Sequence, residues 1–133
     1  MVQNCLEKLQ LRNERNILIQ GLPSSIEKQF QKITFSKNVT PLLKARKIDF
    51  ALIFALSEKQ LRSILKDVIP ALGESASFWV AFPKAASKIV TDLTVNCGWD
   101  CLVKEGFNPG EKVPLDHVWA AMQFCKTPYE IEN

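Results

Sequence analysis

Two apolar runs set the pattern of the chain. Residues 49–56 read Asp-Phe-Ala-Leu-Ile-Phe-Ala-Leu, and residues 76–82 read Ala-Ser-Phe-Trp-Val-Ala-Phe. Both are too short for an amphipathic helix and too continuous for a strand with one wet face, so each predicts a strand covered on both sides. Between them Leu61, Ile64, Leu65, Val68, Ile69 and Leu72 recur at spacings of three and four, the stripe of a helix lying on a sheet. Ser57 and Gln60 stand just before that stripe at capping-box spacing, where hydroxyl and amide satisfy N–H groups at a helix start. Pro70 falls inside the stripe and should end or kink the regular helix near Val68, with Gly73 closing it. Strand, helix and second buried strand together predict a right-handed crossover with parallel strands.

The flanking pattern extends this unit on both sides. Asn16-Ile17-Leu18-Ile19-Gln20, closed by Gly21 and Pro23, predicts a first strand. Ser24 and Glu27 repeat the capping-box spacing, so a short helix is expected over 25–31 with Ile26 and Phe30 inward. Residues 32–36 alternate polar and apolar, as an edge strand does. Thr40-Pro41 predicts another helix start, and residues 4–11 a turn or two of helix. Thr91 is read as the cap of a last helix running to about Glu105, with Gly106 as its left-handed stop. Asn108-Pro109-Gly110 is a turn signal, and 112–115 with 118–126 predict a hairpin around Asp116-His117. The sum is an α/β, Rossmann-like domain over residues 1–126. Its mostly parallel sheet has about six strands in the order 2-1-3-4-6-5, ending in an antiparallel hairpin, and a polar tail follows over 127–133.

Composition narrows the class without changing that picture. With 133 residues, 47% of them apolar and 23% charged, the chain suits one ordinary globular domain. A net charge of +3 falls short of the basic face of a nucleic-acid binder, so nucleic acid is not expected as a partner. No stretch reaches the length of a membrane span, and Met1-Val2-Gln3-Asn4-Cys5 lacks the pattern of a signal peptide. Four cysteines without such a signal suggest free thiols and a cytoplasmic protein.

The succession of buried strand, helix, buried strand, helix and terminal hairpin is similar to the second half of class I methyltransferases that use S-adenosylmethionine. The segments 49–54, Phe78-Trp79-Val80-Ala81-Phe82-Pro83-Lys84, 91–94 and 116–124 resemble more closely a family of small bacterial α/β proteins of unassigned function. In that family a tryptophan-bearing strand ends in Pro-Lys and Asp-x-x-Trp precedes the final strand. The resemblance covers about residues 10–126 and implies a methyltransferase-like fold. It departs from working methyltransferases where they hold their cofactor. Their first strand leads into a glycine-rich loop; here the loop is Gly21-Leu22-Pro23-Ser24-Ser25, with a single glycine and a proline that has no N–H to offer. Where they place an acidic residue for the ribose, this chain has Ser36-Lys37. No cofactor is therefore expected.

Ligands of open α/β sheets gather at the carboxyl ends of the strands. That rule assembles a candidate ligand site from Ser24, Ser57, Lys84, Ser87, Thr91, Asp92 and His117. Lys84 would supply a positive charge, and the two helix-capping serines stand where free N–H groups attract anions. The plainer alternative is that the serines only cap and Lys84 is solvated. His117 is the single histidine; it could act as a base, or simply be exposed in a turn. Cys97 and Cys101 share a helix face but find no other ligands at metal-site spacing, and are read as packing residues. No catalytic set emerges. The leading expectation is a non-catalytic, methyltransferase-shaped domain that senses a ligand or binds a protein or itself. The alternative is a small enzyme or binding protein for a phosphate- or nucleotide-like anion.

Overall fold

The two apolar runs lie side by side and parallel at the middle of one sheet. In the computed structural model the described residues are Leu9, 16–31, Ile33, 35–37, 48–84, Ser87, Ile89, Thr91, Leu93 and 99–126. They form strands β1 (Ile17–Gln20), β2 (Ile48–Phe54), β3 (Leu72–Pro83), β4 (Phe107–Pro114) and β5 (Trp119–Lys126), with helices α1 (Glu58–Val68) and α2 (Asp100–Lys104). The sheet order is β1-β2-β3-β5-β4. β1–β2 and β2–β3 pair in parallel, with Phe50 opposite Ile17 on one side and Ser77 on the other. β5 is antiparallel to both β3 and β4.

Alternation along these strands divides the core in two. Ala51, Ile53, Phe78, Val80, Phe82, Met122 and Phe124 face α1 and α2, whose Leu61, Leu65, Val68 and Leu102 are buried on them. Phe50, Leu52, Phe54, Trp79, Ala81, Trp119 and Ala121 face the other way, toward Leu9, Ile26 and Phe30. Ser57 caps α1, Gln60 N donating to its Oγ at 3.1 Å, while the Gln60 amide oxygen accepts at 2.7 Å from Leu56 N, one residue ahead of the cap. Pro70 ends the regular helix at Val68, as its missing N–H requires, and a 3-10 turn Ile69–Ala71 leads straight into β3.

Several expectations are corrected. The sheet is mixed rather than mostly parallel, because the terminal hairpin contributes as many antiparallel pairings as the crossover contributes parallel ones. Five strands are formed among the described residues; Lys32 and Thr34 of the expected sixth, at 32–36, lie outside them. At the expected position of that strand, beside β1, Ser36 makes a parallel bridge to Leu18, with Ile19 N donating to Ser36 O at 2.9 Å and Ser36 N to Ile17 O at 2.8 Å. Gly73 does not close a helix; it lies inside β3. Residues Ser24–Phe30 form a 3-10 helix whose cap residue is Pro23, without any side-chain cap bond, so the Ser24–Glu27 pair is not a capping box; Ile26 and Phe30 are nonetheless inward. Thr91 caps no described helix: α2 starts only at Asp100, and the Thr91 hydroxyl accepts from Leu93 N at 3.0 Å. Gly106 does stop that helix, at φ 90°. The Asn108-Pro109-Gly110 signal marks no turn but an irregularity inside β4, where the register with β5 shifts between Pro109 and Lys112. The expected helices at 4–11 and after Thr40 lie outside the described residues, Leu9 apart, as do Asp92, Cys5 and Cys97.

Candidate functional site

Parallel pairing brings the carboxyl ends of β1, β2 and β3 to one edge, and the β4–β5 turn joins them there because Trp119 pairs with Pro83. Asp116 organises that turn. Its Oδ1 accepts from Val118 N at 2.8 Å and from Trp119 N at 2.7 Å, and its Oδ2 accepts from the Ser25 hydroxyl at 3.3 Å. The Ser25 bond spans 91 positions of sequence and ties the segment after β1 to the turn before β5. With strands about 4.8 Å apart, the segment crosses three intervals, roughly 14 Å, over the ends of β2 and β3.

Gly21 makes that crossing possible. Its φ of +80° is one that residues with a side chain rarely adopt, and a Cβ there would stand 3.0 Å from Phe54 O and 3.3 Å from Phe54 Cβ. The chain is thus turned down onto the end of β2. Next to it the Phe54 ring meets Trp119 edge to face, centroids 5.2 Å apart at 79°. Both rings are buried.

The residues predicted from sequence are distributed around this edge. Ser24 is exposed at the first position of the 3-10 helix, beside the Ser25 that reaches Asp116. Lys84 follows β3, half-buried, and its N–H donates to Val118 O at 2.7 Å, which sets it against the His117 turn. Ser87 folds back on the same residue, its hydroxyl donating to Lys84 O at 2.7 Å. His117 is exposed. Ser57 is engaged as the α1 cap, and Thr91 bonds locally to Leu93 N. Asp92 lies outside the described residues. Ser24, Lys84, Ser87 and His117 therefore share one edge of the sheet, while Ser57 serves its helix. Among the described residues no group of three or more His, Cys, Asp or Glu side chains is placed to hold a metal ion, and no helix is long and apolar enough to cross a membrane.

Two features went unread in the sequence. One is the bridging role of Asp116, whose only signal was an aspartate two and three residues ahead of N–H groups in a tight turn. The other is a groove of about 500 Å3 between α1 and α2, floored by Leu65, Ile69 and Pro70. Cys101 opens into it, half-buried; burial raises its thiol pKa above the ordinary value, and the Glu58 carboxylate adds to the rise while Arg62 opposes it. The recurrence of Glu58, Arg62 and Lys66 at intervals of four was the available clue.

No family model matches the chain, and no curated protein does. Solved structures do. LepI in complex with SAM superposes with a TM-score of 0.55 at 14% identity, over 92% of this chain and 39% of that one. A mutant of MtNAS in complex with S-adenosylmethionine gives 0.57 at 11% identity, over 92% and 59%. The mitomycin 7-O-methyltransferase MmcR gives 0.56 at 14% identity, over 91% and 52%. The protein thus has the fold of class I methyltransferases that use S-adenosylmethionine, and it spans less than two thirds of the length of each of these chains.

That fold implies a cofactor lying against the loop after β1, and the residues here do not fit one. Gly21 packs its backbone against Phe54 on the side where a Cβ would project. Pro23 caps the following helix without an N–H to offer, and that helix is a 3-10 helix of seven residues. Ser36, whose backbone bridges to β1 in the place of the ribose-holding acid, has no carboxylate to offer.

Proposed function

We propose that this protein is a methyltransferase-shaped domain without methyl-transfer activity, acting as a binding module for a ligand or a protein partner. The observation that carries the reading is the approach of Gly21 to Phe54, backed by the Phe54–Trp119 contact and the Ser25–Asp116 bond. Glycine at this position in cofactor-binding folds lets a ligand approach the backbone; here the side that a Cβ would occupy faces the protein's own β2. A thermal-shift comparison tests it, because a ligand bound only by the native state must raise the melting temperature. S-adenosylmethionine and S-adenosylhomocysteine should give no shift, and a saturable shift with either would overturn the reading.

A second reading is favoured by the gathering of Lys84, Ser87, Ser24 and His117 at one edge of the sheet: a small site for a phosphate- or nucleotide-like anion. It predicts a shift with inorganic phosphate or nucleoside phosphates that Lys84→Ala removes. Absence of any shift at about 1 mM, a concentration matching weak binding, counts against it.

A further inference from the structure

The groove between α1 and α2 is polar in the electrical sense. Both helices run toward the same edge of the sheet: α1 passes through Ile69–Ala71 into the start of β3, and α2 passes Gly106 into Phe107, whose ring meets Phe78 of β3 at 5.4 Å. The beginnings of the two helices therefore lie together, as do their ends, and the influence of Glu58 and Arg62 on the Cys101 thiol agrees with that arrangement. At the beginning stand Glu58 and Asp100 with Arg62; at the end stand Lys66 and Lys104 with Glu105. Each end holds two charges of one sign and one of the other, so the first carries a net negative charge and the second a net positive one. Glu58 and Arg62 form a surface ion pair at 3.8 Å, with Arg62 largely exposed and Glu58 partly so. Leu65, Ile69, Pro70 and the uncharged thiol of Cys101 floor the space between the ends.

We infer that this groove receives a short peptide segment of a partner protein, with a basic residue at one end, an acidic residue at the other and apolar side chains between. The partner class rests on the binding-module reading above, but the groove is on the helical face and does not involve the sheet edge where a cofactor would lie. Its volume of about 500 Å3 suits a few residues of peptide.

Cysteine alkylation on the intact protein reads the groove directly. Cys101 opens into it, while the exposed Cys125 follows Phe124 on β5 and so points to the opposite face, an internal control. The probe is the end-blocked pentapeptide Lys-Leu-Ile-Leu-Glu, compared with the same peptide carrying lysine at both ends or glutamate at both ends. At about 1 mM, the dipolar peptide should slow alkylation of Cys101 and leave Cys125 unchanged. The two like-charged peptides should protect about fivefold less. In the Lys66→Glu, Lys104→Glu variant, whose two sites are exposed, the peptide with lysine at both ends should protect best. Equal protection by all three peptides, equal protection of both cysteines, an unchanged preference in the variant, or no protection would each overturn the inference. The cofactor titration on the same protein separates the two claims: S-adenosylmethionine binding would remove the binding-module reading without altering the charge order of the peptides.

Discussion

Phe54 and Trp119 meet edge to face at 5.2 Å although 65 positions separate them, one ending β2 and the other beginning β5. Their contact lies at the sheet edge formed by the carboxyl ends of β1, β2 and β3. Aromatic pairs of this geometry contribute about 1 kcal/mol beyond their burial. A double-mutant cycle with Phe54→Leu and Trp119→Leu, followed by urea unfolding, should therefore show a coupling of about 1 kcal/mol. Additive losses would mean that the rings only fill space independently.

Gly21 is a close contact at the same edge. Gly21→Ala must hold a side chain at φ +80° and push a Cβ against Phe54 O, a backbone atom that cannot rotate away. The expected loss is about 1–3 kcal/mol of unfolding free energy. A neutral substitution would show that the crossing segment can lift from β2, and the edge could then open.

Asp116 serves three donors. Asp116→Ala should cost about 2 kcal/mol and speed amide exchange at Val118 and Trp119, the two N–H groups it satisfies. Asp116→Asn keeps an acceptor oxygen in the turn and should retain more than half of that stability. Equal losses for both variants would indicate that the negative charge, rather than the acceptor geometry, holds the turn.

The sheet centre was legible because its signals are redundant. In 48–83 the continuous runs, the stripe from Leu61 to Val68, the Ser57 cap and Pro70 all agree and appear as expected, while Leu72 and Gly73, read as the end of the helix, begin β3. The misses have the opposite character. Ser24–Glu27 has the spacing of a capping box, but Pro23 fixes φ at −72° ahead of a 3-10 helix in which no cap bond forms. Asn108-Pro109-Gly110 resembles a turn in isolation, yet the edge position of β4 tolerates a proline and a glycine as an irregularity. Ser24, Lys84, Ser87 and His117 lie at the edge to which strand direction assigns them. What occupies the edge was not legible, since the Gly21–Phe54 and Ser25–Asp116 contacts are set by packing between distant segments.

The Cys101 thiol provides a pH handle on the groove. Its pKa is raised in the folded protein, so folding favours the protonated form. A raised folded pKa contributes stability that is complete below the unfolded value and is lost as pH rises through the folded one. The wild type should therefore lose stability relative to Cys101→Ser on the alkaline side of the ordinary thiol range, above about pH 8.5. Alkylation of Cys101 at that pH should also be slower in the native protein than in urea. Parallel stability profiles for the two proteins from pH 7 to about pH 10 would contradict the assignment.

Calorimetric titration of the intact protein with S-adenosylmethionine bears most directly on the proposed binding-module reading. The account predicts no saturable heat up to about 1 mM cofactor, for the wild type and for Asp116→Asn alike. A saturable isotherm at about 10 μM, displaced by S-adenosylhomocysteine, would contradict it.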